Sequence, residues 1–286
     1  YRLEIQPFID DLMPSFMDEA LSFRDSLNYD IAVDMLKKLS QYPSTFQGDI
    51  FVHISDLYLL KVDEVLVMKQ YELARDYLNL SLENDATKKE VISRKAEDIC
   101  SLIFEEGNQL LISFQFDEAI EIYKNCYKIL PEYQVCTTLI NEVNDKKKSY
   151  LSALEFENIA MQYEEKKEYT PAYSNYNKSY NLFKTDRVRD KIYIMSNLIQ
   201  AERNPKAFAE KIVKDFKKGI IPAGVNAVES SLVAQYGDQV STSGWKVYYA
   251  IGEFKYEVRF DLLSPGENFY YAWRVNLKTR QITSLN

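Results

Sequence analysis

The chain has 286 residues, 46% hydrophobic and 27% charged, so it can bury a sizeable core and is typical of a globular protein. With only 8 Gly and 8 Pro, long flexible linkers and disorder are excluded. The net charge of −8 is uneven: residues 205–286 hold 11 basic and 8 acidic side chains, and residues 1–204 hold 24 and 35. The acidic part argues against a nucleic-acid ligand. It fits a basic or mixed-charge protein partner, or serves only to keep the surface hydrated.

Residues 1–200 read as helix almost throughout, because apolar side chains recur every three or four positions. Breaks are predicted near Asn28, at residues 41–45 and 83–85, and at Pro131. A further helix is predicted to start at Pro171 with Thr170 as its N-cap. No apolar stretch is long enough for a transmembrane helix. Because the sequence begins with Tyr1 rather than Met, we expect a segment before it, such as a signal peptide or membrane anchor, to have been removed.

A small residue recurs near the start of each predicted second helix, spaced by 42, 45 and 53 residues: Ala32, Ala74, Ala119 and Ala172. Around Ala119 the pattern extends to Gly107 in the helix before, to Tyr123 one turn on and to Pro131 as the stop. This unit resembles a tetratricopeptide (TPR) repeat, although that family repeats every 34 residues. The longer spacing predicts lengthened first helices and longer connections.

The TPR resemblance implies a mainly α fold, a helical-hairpin solenoid over residues 1–203. Residues 186–201 would form its capping helix. It also implies a non-enzymatic scaffold that binds a protein or peptide in a groove lined by the first helix of each pair. The candidate groove residues lie on two predicted first helices: Phe104, Asn108, Gln109, Asn158, Gln162 and Tyr163.

Residues 204–286 predict a small α+β domain. Two amphipathic helices, residues 205–218 and 222–236, precede alternating segments of three or four antiparallel strands. One sheet face is aromatic and expected to be covered by the helices, and includes Trp245, Tyr249 and Ile251. The pattern is weakly similar to PepSY or cystatin-like modules. That similarity implies a bacterial cell-envelope protein, so a periplasmic or membrane-anchored location is favoured over a cytoplasmic one.

Few residues are suited to catalysis, and we predict no enzyme, cofactor or metal site. His53 is the one histidine and lies in an apolar helical stretch, where a half-buried structural role is favoured. The three cysteines, Cys100, Cys126 and Cys136, have no metal-ligand spacing. Buried thiols are favoured over a disulfide, although one bridge could form in an oxidising compartment.

Two further groups of residues are candidate binding surfaces. Tyr173 and Tyr180 lie seven positions apart on one predicted helix, in a segment rich in Tyr and Asn; such residues are typical of peptide-binding surfaces, but they also pack repeats together. The polar face of the predicted sheet provides the second group, either as a solvent face or as a partner surface: Lys246, Tyr248, Arg259, Tyr270 and Arg274.

Two other functions remain open at the level of sequence. A small-molecule or lipid pocket could lie between the C-terminal helices and the aromatic sheet face, lined by Trp245, Tyr249, Tyr256, Tyr271 and Trp273. The chain could also be a purely structural homo-oligomer.

Overall fold

The computed structural model describes residues 2–285. It confirms a mainly α fold followed by a small α+β part with a four-stranded antiparallel sheet. The helices of the described residues are α1 Arg2–Asp25, α2 Tyr29–Leu39, α3 Gln47–Val67, α4 Tyr71–Asn84, α5 Lys89–Ile112, α6 Phe116–Ile129, α7 Gln134–Glu165, α8 Tyr169–Leu182, α9 Asp186–Arg203, α10 Pro205–Asp215 and α11 Ile220–Tyr236. The strands are β1 Ser241–Tyr249, β2 Lys255–Leu263, β3 Asn268–Asn276 and β4 Gln281–Ser284.

The chain divides into two compact units, one ending at Lys147 and the other beginning at Lys148. The division falls inside the residues of α7. The domain boundary predicted from the sequence, at residues 203/204, lies within the second unit and stays a prediction.

Four helix hairpins share one turn geometry. The turn residue has a left-handed backbone and a positive φ, between 54° and 61°, in each of Leu27, Lys69, Phe114 and Lys167. The next residue donates its N–H to the carbonyl five positions back, at 2.8 to 3.0 Å, which satisfies an otherwise unpaired group at the end of the first helix. The chain therefore reverses in the same way after α1, α3, α5 and α7.

The helix that follows each turn also has a common pattern. It begins with an aromatic residue, which is Tyr29, Tyr71, Phe116 or Tyr169. Its fourth residue is a fully buried alanine, which is Ala32, Ala74, Ala119 or Ala172. These are the alanines singled out from the sequence, and their missing side-chain volume lets the first helix of each hairpin approach closely.

Gly107 provides the tightest contact of the third hairpin. A Cβ atom added at Gly107 would lie 2.2 Å from Cε1 and 2.6 Å from Cδ1 of Tyr123. The Tyr123 ring is 1% exposed and fills the space between α5 and α6. Pro131 follows the end of α6 at Ile129, as predicted from its missing N–H.

In the second unit, α8 and α9 enclose a core that includes Ala172, Tyr176, Val188 and Met195. The predicted helix at residues 186–201 is confirmed as α9, whose first turn is capped by the Thr185 hydroxyl. The predicted start of α8 is wrong: the helix begins at Tyr169, so Thr170 lies inside it. The helix starts two residues before Pro171 because the turn at residue 167 ends just ahead of it and because the Tyr169 ring is buried in the core.

The sheet has the order β1-β2-β3-β4, and α10 and α11 contribute to the core on its aromatic face. Two parts of the predicted face are wrong. Ile251 lies beyond β1 and is 98% exposed, and Tyr249 is 73% exposed, because β1 ends before the turn to β2. A register shift between Thr242 and Trp245 marks a bulge in β1. The α11 helix begins at Ile220, two residues before the predicted start.

The cysteines correct another expectation. Cys100 of α5 and Cys126 of α6 form a disulfide inside the third hairpin, and both are fully buried. Only Cys136 is a free thiol; its Sγ lies 3.1 Å from the Tyr123 carbonyl oxygen, and burial raises its pKa. The sequence interpretation favoured three thiols because spacing in sequence does not show which faces of two helices meet.

Candidate functional site

The predicted groove residues of α5 have two different roles. Phe104 is half-buried, and its ring centroid lies 5.7 Å from that of Tyr123 and 6.3 Å from that of Tyr133. The Asn108 Oδ1 accepts a hydrogen bond from the Tyr123 hydroxyl at 2.7 Å. Gln109 is exposed to solvent. Phe104 and Asn108 therefore hold the hairpin together; Asn108 is itself exposed, so both Asn108 and Gln109 are accessible to a partner.

Leu102 of α5 was not singled out from the sequence, yet its apolar side chain is 63% exposed. It borders a cavity of about 170 Å³ that also contacts Leu66, Tyr71 and Ile103. An ion pair between α5 and the turn after α3, Lys69 to Glu106, lines the same cavity. Leu102 at the border of this cavity is therefore an apolar side chain that a partner could contact.

The predicted residues of α7 and α8 also divide. Asn158 and Gln162 are exposed on α7. Tyr163, Tyr173 and Tyr180 are half-buried and pack against the core of α8 and α9. The tyrosine cluster therefore contributes mainly to packing within the second unit, and the two amide side chains are the accessible part.

A polar network joins α7, α8 and α9, and the sequence interpretation missed it. The Glu164 carboxylate accepts hydrogen bonds from the Tyr176 hydroxyl at 2.7 Å and from Lys191 Nζ at 2.8 and 3.0 Å. Burial opposes the charge of Glu164, but these bonds outweigh it and lower its pKa. Burial and the bond to Glu164 raise the pKa of Tyr176 strongly.

Two helical turns before Glu164 on α7, the buried Glu157 carboxylate accepts a hydrogen bond from Arg187 at 2.7 Å. Glu157 and Glu164 lie seven residues apart on α7, and Arg187 and Lys191 lie four apart on α9. The two spacings differ and the partners lie on different helices, so no local charge pattern in the sequence signals this network.

The polar sheet face carries a compact cluster of aromatic and charged side chains. The Arg259 guanidinium lies 4.9 Å from the Tyr248 ring centroid and 5.3 Å from that of Tyr270. The Glu257 carboxylate accepts hydrogen bonds from Arg259 Nε and from the Tyr270 hydroxyl, the latter at 3.1 Å. Cation–π contacts and the shared carboxylate therefore hold this arginine between two tyrosines.

Lys246 and Arg274 lie on the same face and are exposed. Lys246 is opposite Arg259 across β1 and β2, and Arg274 is opposite Glu257 across β2 and β3. The structure thus brings the five predicted sheet residues onto one surface.

The C-terminal part also has a small cavity, of about 180 Å³, lined by Phe208, Ile212, Phe216, Arg280 and Ile282 among others. The Arg280 guanidinium lies over the Phe208 ring, and its Nε donates to Asn197 Oδ1 at 2.8 Å. The aromatic residues expected to line a larger pocket have another role. Tyr256 and Trp273 are buried in the core, and Trp245 and Tyr271 pack against it.

The chain matches no protein-family model, and no curated protein sequence is significantly similar to it. Among the described residues, no group of three or more His, Cys, Asp or Glu side chains is arranged to hold a metal ion. No helix between residues 2 and 285 combines the length and the apolar character needed to cross a membrane.

Proposed function

We propose that this protein is a non-enzymatic TPR-like scaffold whose first helices bind a protein or peptide partner. The observation that supports this function best is the recurrence of one helix hairpin at four places, each with the same left-handed turn and the same buried alanine. Repeated hairpins of this kind stack on their neighbours and leave part of each first helix exposed to solvent.

The exposed face of the first helices has a composition that suits binding. On α5 it presents Leu102 and Gln109, and on α7 it presents Asn158 and Gln162. Buried contacts between the helices fix the backbone below these side chains. On each of the two units, a partner would then meet a preformed helix face and lose little affinity to ordering of that face.

A location in an oxidising compartment of the bacterial cell envelope is part of the proposal. The Cys100–Cys126 disulfide supports it, because disulfides persist in secreted and periplasmic proteins and are rare in the cytosol.

The alternative function, a small-molecule or lipid pocket in the C-terminal part, has weaker support. The cavity there holds about 180 Å³, and ligand pockets usually measure about 300 Å³ or more. Four of the aromatic side chains expected to line a larger pocket, Trp245, Tyr256, Tyr271 and Trp273, instead belong to the core of the sheet with α10 and α11 or pack against that core.

Site-specific photo-crosslinking in the native cell tests the scaffold function. A photoreactive residue at Gln109 or Gln162 of the full chain should capture one discrete partner, and the same residue at Glu118 or Ser174, both exposed on second helices, should not. Alanine at Gln109, Asn158 and Gln162 together should weaken partner capture by at least about tenfold. Equal capture from all four positions, or unchanged capture by the triple variant, would show that these faces do not bind.

A further inference from the structure

The α1 helix has an apolar stripe that its own hairpin does not cover. Four large apolar side chains, spaced by three, four and four residues, are between 45% and 71% exposed: Ile5, Phe8, Leu12 and Phe16. Met13, Met17 and Ala20 lie on another face of α1 and are buried in the core of the first hairpin. The helix therefore has two apolar faces, and only one of them is used within the described chain.

The stripe borders a groove rather than a flat surface. A cavity of about 340 Å³ opens between α1 and the end of α2 and is lined by Ile9, Leu12, Met13, Phe16, Leu39 and Tyr42. Tyr42 forms the far wall and is 56% exposed. The wall is almost entirely apolar, so it suits an apolar side chain inserted from outside.

Two hydrogen bonds fix the helix against its hairpin. Gln6 Nε2 donates to the Pro43 carbonyl at 2.7 Å, and the Thr45 N–H donates to Asp10 Oδ1 at 2.9 Å. The bond from Thr45 lowers the pKa of Asp10. Because these contacts hold α1 on one side, it cannot rotate to bury the stripe without breaking them.

The edge of the stripe is acidic. Asp11, Asp18 and Glu19 are exposed, and no Lys or Arg occurs between residues 5 and 23. Over residues 5–46 the chain carries seven carboxylates against three basic side chains. The occupant must therefore combine apolar side chains with positive charge.

From this groove and its charge we infer that α1 and Tyr42 form a docking site for a basic amphipathic helix of a partner protein. The stripe extends over 12 residues, from Ile5 to Phe16, or about 16 Å and three helical turns, and its three-and-four spacing is that of one helix packed along another. Lysine or arginine beside the partner's apolar face would meet Asp11, Asp18 and Glu19.

The same charges disfavour two other occupants. A second copy of the chain, packed through the same stripe, would bring two acidic edges together. A bilayer with anionic lipids would repel them as well. Because α1 is the first helix of its hairpin, the inference extends the proposed scaffold function, but it uses none of the α5 and α7 residues by which that function is tested, so either test can fail without the other.

Titration of the full chain with two synthetic peptides tests the inference. Both are amphipathic helices of about five turns, or 18 residues, with leucine at three-and-four spacing. One has lysine beside the leucines and the other has glutamate. The lysine peptide should bind at least about tenfold more tightly than the glutamate peptide, and added salt should weaken it.

The variant Phe8→Gln/Leu12→Gln should lose the lysine peptide, and Asp11→Lys/Glu19→Lys should reverse the preference between peptides. All four positions are exposed, so folding should be retained, as checked by circular dichroism. Ile112→Gln, an equally exposed apolar residue on α5, is the matched control and should bind as the unchanged chain does.

Equal binding of the two peptides, or binding that survives Phe8→Gln/Leu12→Gln, would overturn the inference. So would a dimer in light scattering that Leu12→Gln dissociates, since the occupant would then be a second copy. Binding of the chain to phosphatidylglycerol vesicles, lost in the same variant, would assign the stripe to a membrane surface instead.

Discussion

Gly107 gives the sharpest test of the hairpin packing, because its substitution by alanine adds one methyl group where there is no room. The added Cβ would lie 2.2, 2.6 and 3.0 Å from three atoms of the Tyr123 ring, whereas carbon atoms in contact are normally about 3.5–4.0 Å apart. The ring cannot easily move away, since it is 1% exposed and its hydroxyl donates to Asn108. Relief requires a shift of α5 relative to α6.

The expected magnitude follows from two opposing effects. Overpacking of a well-filled core costs about 1–3 kcal/mol, and this overlap belongs at the upper end. Alanine is a better helix former than glycine by about 1 kcal/mol, which offsets part of the cost. Gly107→Ala should therefore lower the free energy of unfolding by about 2 kcal/mol, measured by urea unfolding.

Gly48→Ala is the matched control, because no atom lies within 4 Å of a Cβ placed there, near the start of α3. It should leave stability unchanged or raise it by up to about 1 kcal/mol. The double variant Gly107→Ala/Tyr123→Ala should be no less stable than Tyr123→Ala alone, since the clashing ring is gone. If Gly107→Ala were neutral, or equally costly without the Tyr123 ring, close approach at Gly107 would not explain the glycine.

Three further predictions concern stability and are checked by urea unfolding. Leu27→Gly should stabilise by about 1 kcal/mol, because glycine adopts a positive φ without strain, while Leu27→Ala should not; equal effects would refute this cause. Cys100→Ala/Cys126→Ala should cost about 3.5 kcal/mol from loop entropy over the 26-residue separation, and a chain as stable without the bridge would contradict it. The ionised Glu164 carboxylate adds to the free energy of unfolding at pH values above the ordinary carboxyl pKa, and this contribution is lost as the pH falls through the lowered pKa of Glu164. Glu164→Gln should remove this acid dependence, whereas Glu165→Gln, at an exposed position, should keep it.

Much of the helical part could be predicted from the sequence, because its signals are local. The periodicity of apolar residues and the breaks near Asn28 and Pro131 depend on neighbours within a few positions, and the buried alanines follow from the same pattern. The left-handed backbone conformation of the turns between the helices could not be predicted from the sequence. Leu27 and Lys69 have a backbone conformation that usually selects glycine, so no residue at those positions signals it.

The candidate binding residues were predicted less well, because exposure depends on contacts distant in sequence. Asn108 and Tyr163 have the composition of a binding surface, but Asn108 holds the Tyr123 hydroxyl and Tyr163 packs on a core. Asn108 and Gln109 are adjacent and both exposed, and nothing local shows that Asn108 also accepts a hydrogen bond across the hairpin or that Tyr163 is half-buried. The disulfide was missed for the same reason, since it depends on how α5 and α6 face each other.

The variable spacing of the buried alanines has a structural explanation in the lengths of the helices. The first helices of the four hairpins have 24, 21, 24 and 32 residues, whereas the second helices have 11, 14, 14 and 14. The predicted lengthening of first helices is therefore confirmed. A second helix packs against neighbouring helices on the side of its alanine, and the length of this contact constrains the length of the helix. A first helix can extend at the end away from the turn without disturbing that contact, and the extension adds exposed surface. The added length thus lies in the helices that we propose to bind a partner.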